Sequence, residues 1–299
     1  MRFHRDTMQM DPAWAQRLRQ AGLDTADRVL KHVGDQVVAW SRSTETVRVD
    51  LPAHAGHGAV FVKRYHHLQW RRRLKAMLRG TFLGRTRARA EFERLQELRD
   101  AGAPVAYPVA YGERRILHFV RSSFLITEAV ENAVSLTTFA QQQGNGRRAS
   151  LPSAVRRQMI ESLGRCIGAL HGKGLVHGAL VWRNVLVRFQ DDPVAGVEFI
   201  LLDADGRRRL GTLGRGEGPS PGVVGDLAAL AALASVFCSR TEMLRFFHAY
   251  LGVRRLDAGH RQLARDVLAR AERQRDHELY RLKMNDVFHY HLVPIERDP

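Results

Sequence analysis

Leu170-His171-Gly172-Lys173-Gly174-Leu175-Val176-His177-Gly178-Ala179-Leu180-Val181-Trp182-Arg183-Asn184-Val185-Leu186-Val187 is the stretch whose reading decides the fold. The residues leading into it, Ser153–Lys173, carry Ile160, Leu163, Ile167 and Leu170 at helical spacing, which predicts an amphipathic helix ending on the leucine-histidine pair. The residues leading out, Asn184–Phe189 and Val197–Leu202, are short apolar runs around a turn at Asp191–Gly196, which predicts two strands. The quoted stretch is thus a helix-loop-strand connection, with His177 opening the loop and Asn184 standing just before the strand. Nineteen residues beyond Asn184, the run Phe199-Ile200-Leu201-Leu202 ends in Asp203, followed by Ala204-Asp205-Gly206.

On the N-terminal side of this stretch, Val37–Leu51 reads as two strands around a polar turn at Ser41–Glu45, and Ala59–Tyr65 as a third. A basic-aromatic run from Lys63 to Lys75 follows, then a helix over Arg87–Ala101 with Phe92, Leu95 and Leu98 on one face and Gly102 ending it. Ala103–Tyr111 is extended, Arg114–Thr127 reads as a hairpin, and Glu128–Asn132 connects this half to the next. On the C-terminal side, Gly206–Gly225 holds seven glycines besides Pro219 and Pro221, which predicts a flexible loop. Helices are expected from about Asp226 to near residue 290. Asp226 opens the first of them, as a plain N-cap or as an anchor for another segment. The expected architecture is α+β: residues 1–127 form an antiparallel sheet with one main helix, and residues 128–299 form a mostly helical half.

Over 299 residues, 47 Lys and Arg face 31 Asp and Glu, a formal net charge of +16. Such an excess attracts polyanions, whether nucleic acid, phosphorylated glycolipid or an anionic membrane surface. Cys166 and Cys238 lie in apolar helical stretches and read as buried reduced thiols, which fits a reducing cytosol. Met1–Arg17 is punctuated by charge and lacks the apolar core of a signal peptide. Leu227–Cys238, at 12 residues the longest apolar candidate, is too short to span a bilayer, so membrane contact is expected to be peripheral.

A strand-rich half with one helix, joined by a short link to a helical half, resembles the bilobal protein-kinase layout. Val60-Phe61-Val62-Lys63 stands where that pattern has the strand lysine that pairs with the α and β phosphates of ATP. Its carboxylate partner is expected to be Glu91, which shares a face with Leu95 and Leu98, whereas Glu93 and Glu97 point elsewhere. Glu128, at the link, joins Lys63, Glu91 and Asn184 as a cofactor-binding candidate. The quoted stretch matches the catalytic loop: His177 opens it, and Asn184 is the Mg²⁺-ligating position. Asp203 is the metal-ligand candidate after the second strand, with Asp205 beside it, and Asp226 resembles the aspartate that anchors the catalytic-loop backbone.

Over roughly residues 35–255 the chain resembles the lipopolysaccharide core kinase family, which phosphorylates heptose or Kdo sugars of the inner core. The basic-aromatic run after Lys63 carries the resemblance, with Arg87-Ala88-Arg89-Ala90-Glu91-Phe92 leading to Gly102-Ala103-Pro104-Val105. So do Asp203-Ala204-Asp205, Gly225-Asp226-Leu227 and Arg245-Phe246-Phe247-His248-Ala249-Tyr250. It implies ATP and Mg²⁺ as cofactors, a cytoplasmic location and a lipid-linked sugar acceptor, a lipopolysaccharide core glycolipid. The run Lys63–Lys75, with Tyr65 and Trp70 interleaved with Arg64, Arg71, Arg72, Arg73 and Lys75, is expected to hold the protein peripherally against the anionic inner face of the cytoplasmic membrane.

The pattern breaks at one catalytic position. Kinases place an aspartate two residues after the loop histidine, where it takes or orients the proton of the acceptor hydroxyl, and here that residue is Ala179. Asp205 is a possible substitute, although a carboxylate there belongs to the family pattern. The turn Ser41–Glu45 also contains no glycine. Two functions stand: a lipopolysaccharide core sugar kinase, or a nucleotide-binding pseudokinase acting as a binding or regulatory module in envelope glycolipid assembly. Nucleic-acid binding rests on charge alone, with no recognised motif.

Overall fold

A computed structural model of the chain describes residues 4–40, 43–52, 58–66, 84–116, 118–144, 151–189, 196–205 and 220–288. The described residues fall into two units, 4–97 with 106–131, and 98–105 with 132–287.

The first unit is built on a six-stranded antiparallel sheet. Its strands are β1 (His4–Met10), β2 (Gln36–Trp40), β3 (Thr44–Asp50), β4 (Ala59–His66), β5 (Pro108–Ile116) and β6 (Phe119–Glu128), in the order β1-β5-β6-β4-β3-β2. Side chains alternate across a strand, and β4 uses both faces. Val60 and Val62 join a core with Val47, Val49, Phe124 and Ile126 under two short helices, α1 (Ala15–Gln20) and α2 (Ala26–Lys31), which contribute Leu18 and Val29. Phe61, Lys63 and Tyr65 point the other way. That opposite face is the one α3 (Arg87–Asp100) meets, burying Phe92 and Leu95 and setting Phe92 4.9 Å from the Tyr111 ring.

Sequence patterning did not foresee β1, α1 or α2. The clue was in β4 and β6, whose buried runs, Val60 and Val62 on one face and Tyr65 and Leu125 on the other, call for a cover on each side of the sheet. Arg64 is the cost of that arrangement. It is 3% exposed, and its guanidinium donates to Val29 O at 3.0 Å, to Glu45 at 2.9 Å and to His32 O. Arg64 and Tyr65 therefore leave the basic-aromatic run expected to meet the membrane surface: both are buried in the fold. The remainder of that run, 67–75, lies outside the described residues.

The second unit is helical. It contains α4 (Leu136–Gly144), α5 (Ser153–Gly172), α6 (Pro221–Phe237), α7 (Arg240–Leu251) and α8 (Ala258–Phe288), with a three-stranded sheet β7-β8-β9 of Ala133–Ser135, Val185–Phe189 and Val197–Leu201. Strand β9 also draws in the segment after α3: Leu201 N donates to Pro104 O at 2.7 Å, and Leu201 pairs in parallel with Val105. Helices α5 and α7 pack backbone to backbone. A Cβ on Gly164 would stand 2.6 Å from Phe246 O and one on Gly168 2.3 Å from Tyr250 O, so these glycines, one turn apart, permit the approach.

Two expectations need correction. The glycine-rich stretch does not run as loop to Gly225, because α6 begins at Pro221. Ser220 caps it by accepting from Val223 N, and proline at the first helical position costs no hydrogen bond there. Asp226 is consequently inside α6 rather than at its cap. The expected 12-residue apolar span is part of this helix, and among the described residues no helix is long and apolar enough to cross a membrane. Cys166 and Cys238 are free and half-buried rather than fully buried, and burial pushes both thiols up to about 11.

Candidate functional site

In the sheet unit, β4 and α3 bring Lys63 and Glu91 together. Lys63 Nζ lies 3.0 Å from Glu91 Oε1, with the carboxylate side chain 5% exposed and the lysine 14%. Glu93 instead pairs with Arg85 and Arg89, and Glu97 with Arg94. The second oxygen of Glu91 accepts from the Tyr65 hydroxyl at 2.5 Å. Burial first, and the Glu91 charge second, raise the Tyr65 phenol well above its ordinary range, so it remains a donor. Tyr65 was read from the sequence as an aromatic of the membrane-facing run and not as a partner of Glu91, although its spacing of two from Lys63 puts both on one strand face. Glu128 ends β6, where its backbone N–H donates to Tyr107 O at 2.9 Å.

In the helical unit, the loop after α5 is held from below by Asp226. Its carboxylate accepts from His177 N at 2.6 Å and Gly178 N at 2.8 Å, and stands 3.4 Å from His171 Nε2. His171 Nδ1 is 3.0 Å from the Tyr250 hydroxyl. Burial and the Asp226 charge push that phenol up to about 12. The chain Tyr250, His171, Asp226 thus ties α7 and α5 to the loop through α6. Asp226 is 1% exposed and His177 is fully buried, which places the histidine as a packed element of the loop.

Ala179 follows, and its carbonyl accepts from Val181 N and from Asn184 Nδ2, both at 2.9 Å. Only the nitrogen of an amide can donate to a carbonyl, so this bond fixes which end of Asn184 is its oxygen. Leu202 N donates to Asn184 O at 2.8 Å, which sets Asp203 one residue beyond the bonded pair. Asp203 is exposed and adopts φ 57°, a left-handed conformation that aspartate and asparagine tolerate better than most side chains. Asp205 N donates to His177 O at 3.0 Å. Gly178 has φ 82°, and a Cβ there would lie 3.0 Å from the Asp205 Cβ, so glycine at 178 is what lets Asp205 lie against the loop.

The same loop borders an apolar cavity of about 730 Å³ within the helical unit. Trp182 lines it and is fixed by a 2.7 Å bond from its indole N–H to Leu230 O. Met159, Leu163, Phe247 and Val267 add to the wall, and its rim residues Val236, Leu244 and Leu268 are 47%, 48% and 56% exposed. The next loop residue, Arg183, pairs with buried Glu278 of α8 at 2.7 Å.

Residues 31–213 match the lipopolysaccharide kinase (Kdo/WaaP) family. The chain is 30% identical over 193 residues to the lipopolysaccharide core heptose(I) kinase WaaP of Pseudomonas aeruginosa, covering 64% of this chain and 68% of that one. It is 34% identical over 137 residues to a 3-deoxy-D-manno-octulosonic acid kinase of Haemophilus influenzae, covering 46% of this chain and about half, 52%, of that one. A solved structure of WaaP in complex with acyl carrier protein superposes with a TM-score of 0.61 at 24% identity, over 92% of this chain and 99% of that one. The fold is therefore protein-kinase-like, α+β, with a sheet-bearing N-terminal part and a helical C-terminal part. A match covering more than half of the sequence, on that fold, makes this chain a member of the lipopolysaccharide kinase (Kdo/WaaP) family.

Proposed function

We propose that this protein binds ATP with Mg²⁺ and transfers the γ-phosphoryl group, slowly, to an inner-core sugar of lipopolysaccharide. Family membership supports a kinase role in the lipopolysaccharide core, and the buried Lys63–Glu91 pair carries the nucleotide reading. A carboxylate 3.0 Å away holds that ammonium in place, where it can meet the α and β phosphates. Glu128, at the end of the sheet unit, is the further nucleotide contact we assign. Asn184, Asp203 and Asp205 offer oxygen donors, the chemistry that Mg²⁺ prefers. Bound there, the cation would neutralise phosphate charge. We assign residues 1–127 to the nucleotide and residues 128–299 to the metal and acceptor.

The loop supplies no carboxylate at Ala179, so the acceptor proton leaves without help from that position. Phosphoryl transfer has little covalent chemistry for a protein to perform, and positioning with electrostatics supports a residual rate. Ala179 is also the observation that favours the second reading, a nucleotide-binding pseudokinase. Calorimetric titration of Mg-ATP, run beside phosphate transfer to isolated core oligosaccharide, separates the two. Binding with slow transfer is the expected result, and binding without transfer selects the pseudokinase.

Asp203→Asn should leave the fold intact, because asparagine accepts the left-handed backbone at this site. It should remove most of the Mg²⁺ dependence of nucleotide affinity. A variant whose affinity still rises with Mg²⁺ as in the wild type would move the metal site elsewhere.

Two partners follow from other features. The apolar cavity has the size of a small-molecule site, and the solved relative is a complex with acyl carrier protein; we assign the cavity to the fatty-acyl chain of such a carrier. Equal binding of acylated and unacylated carrier would overturn that. We also place the protein in the cytoplasm, against the anionic inner face of the cytoplasmic membrane, through Trp70, Arg71, Arg72, Arg73 and Lys75. At about 1 kcal/mol for each basic residue near an anionic surface, replacing the three arginines by serine should weaken sedimentation with anionic vesicles roughly a hundredfold. Unchanged sedimentation would return the run to a solvated face.

A further inference from the structure

In the sheet unit, Glu91 is gripped from two sides. Lys63 Nζ meets one carboxylate oxygen at 3.0 Å, and the Tyr65 hydroxyl meets the other at 2.5 Å. Tyr65 and Lys63 lie two residues apart on β4, so they project from one strand face, while Glu91 projects from α3. The ring of Tyr65 is itself confined. It is 2% exposed, the Arg87 guanidinium stands 5.1 Å from its centroid, and Lys63 Nζ stands 5.6 Å from it. A hydrogen bond from a neutral hydroxyl to a buried carboxylate is strong, and it has a direction that an ion pair lacks. Two donors from one rigid strand therefore fix both the place of the carboxylate and the rotation of its plane.

We propose that Tyr65 is a positioning residue that clamps Glu91, and through it Lys63, within the sheet unit. In this arrangement the helix that carries Glu91 is pinned to β4 by a second side chain. Departure of α3 from the sheet would break two buried polar contacts instead of one. The pose of Lys63 is accordingly a fixed property of the unit, set before any ligand arrives. The inference rests on the reading of Lys63 as a phosphate-binding residue, and its test separates the two.

The test uses the full-length chain as wild type, Tyr65→Phe and Lys63→Met. Phenylalanine keeps the ring and its packing and deletes only the hydroxyl. The first measurement needs no nucleotide: the rate at which a small neutral acetylating reagent modifies Lys63, read by mass spectrometry against exposed Lys31 of the same unit. Only an uncharged amine reacts, and a well-placed carboxylate keeps the ammonium charged. Loss of the clamp should raise the Lys63 to Lys31 ratio severalfold in protein that is fully folded; because global unfolding would also raise the ratio, the rates are read well below the thermal midpoint of each protein, where a rise that comes only from unfolding is absent. The second measurement is Mg-ATP affinity, expected to fall about tenfold in Tyr65→Phe and further in Lys63→Met. An unchanged acetylation ratio overturns the clamp. A shifted ratio with ATP affinity equal in all three proteins keeps the clamp and overturns the role of Lys63 in nucleotide binding.

Discussion

Ala179→Asp should raise the rate of phosphate transfer to core oligosaccharide by about 10²–10⁴-fold, the usual contribution of a positioned general base. That range corresponds to roughly 3–5 kcal/mol of barrier. The loop is otherwise arranged to receive the carboxylate. Its backbone is fixed at His177 and Gly178 by Asp226, and Asn184 is fixed by its bond to the Ala179 carbonyl, which the substitution retains. Initial rates at saturating Mg-ATP provide the check, with nucleotide affinity expected to stay within a fewfold of the wild type. If the wild type is already as fast as the variant, another group serves as base and the loop is not impaired.

Asp226→Ala should be the most destabilising single substitution considered, at about 3–5 kcal/mol, the loss typical of removing one partner from a buried charged network. The reason lies in what remains. His177 N and Gly178 N both donate to this carboxylate, and both would be left without that acceptor, the first buried and the second partly so. His171 would lose its neighbour at 3.4 Å as well. For a chain of this size the midpoint of thermal unfolding should fall by roughly 5–8 °C. Asp226→Asn, which keeps one acceptor oxygen, should lie between. Amide hydrogen exchange at residues 177 and 178 should accelerate in step. An alanine variant that melts with the wild type would show that the loop is held by something other than Asp226.

Most of the regular elements are legible in the sequence because their signals are local. The stripe of Ile160, Leu163, Ile167 and Leu170 repeats at the helical period, and α5 runs from Ser153 to Gly172. The apolar run Phe199–Leu202 becomes β9 and its end. Short-range patterns also misled. Seven glycines in Gly206–Gly225 outweighed Ser220 and Pro221, which together start a helix by capping chemistry that composition does not reveal. The strands of β4 were found, but alternation alone did not say that both faces would be covered, so β1, α1 and α2 went unread.

What the sequence determined by itself, then, is the order of helices and strands and the residue types placed along them: a strand lysine, a loop with His177, Ala179 and Asn184, and an aspartate after β9. Tertiary structure decided which of these residues meet. Asp226 reaches its loop partners across 48 and 49 residues, Tyr65 reaches Glu91 across 26, and Arg183 reaches Glu278 across 95. No periodicity records such pairs, because a side chain's neighbours at that separation are fixed only when the helices and strands that carry them pack.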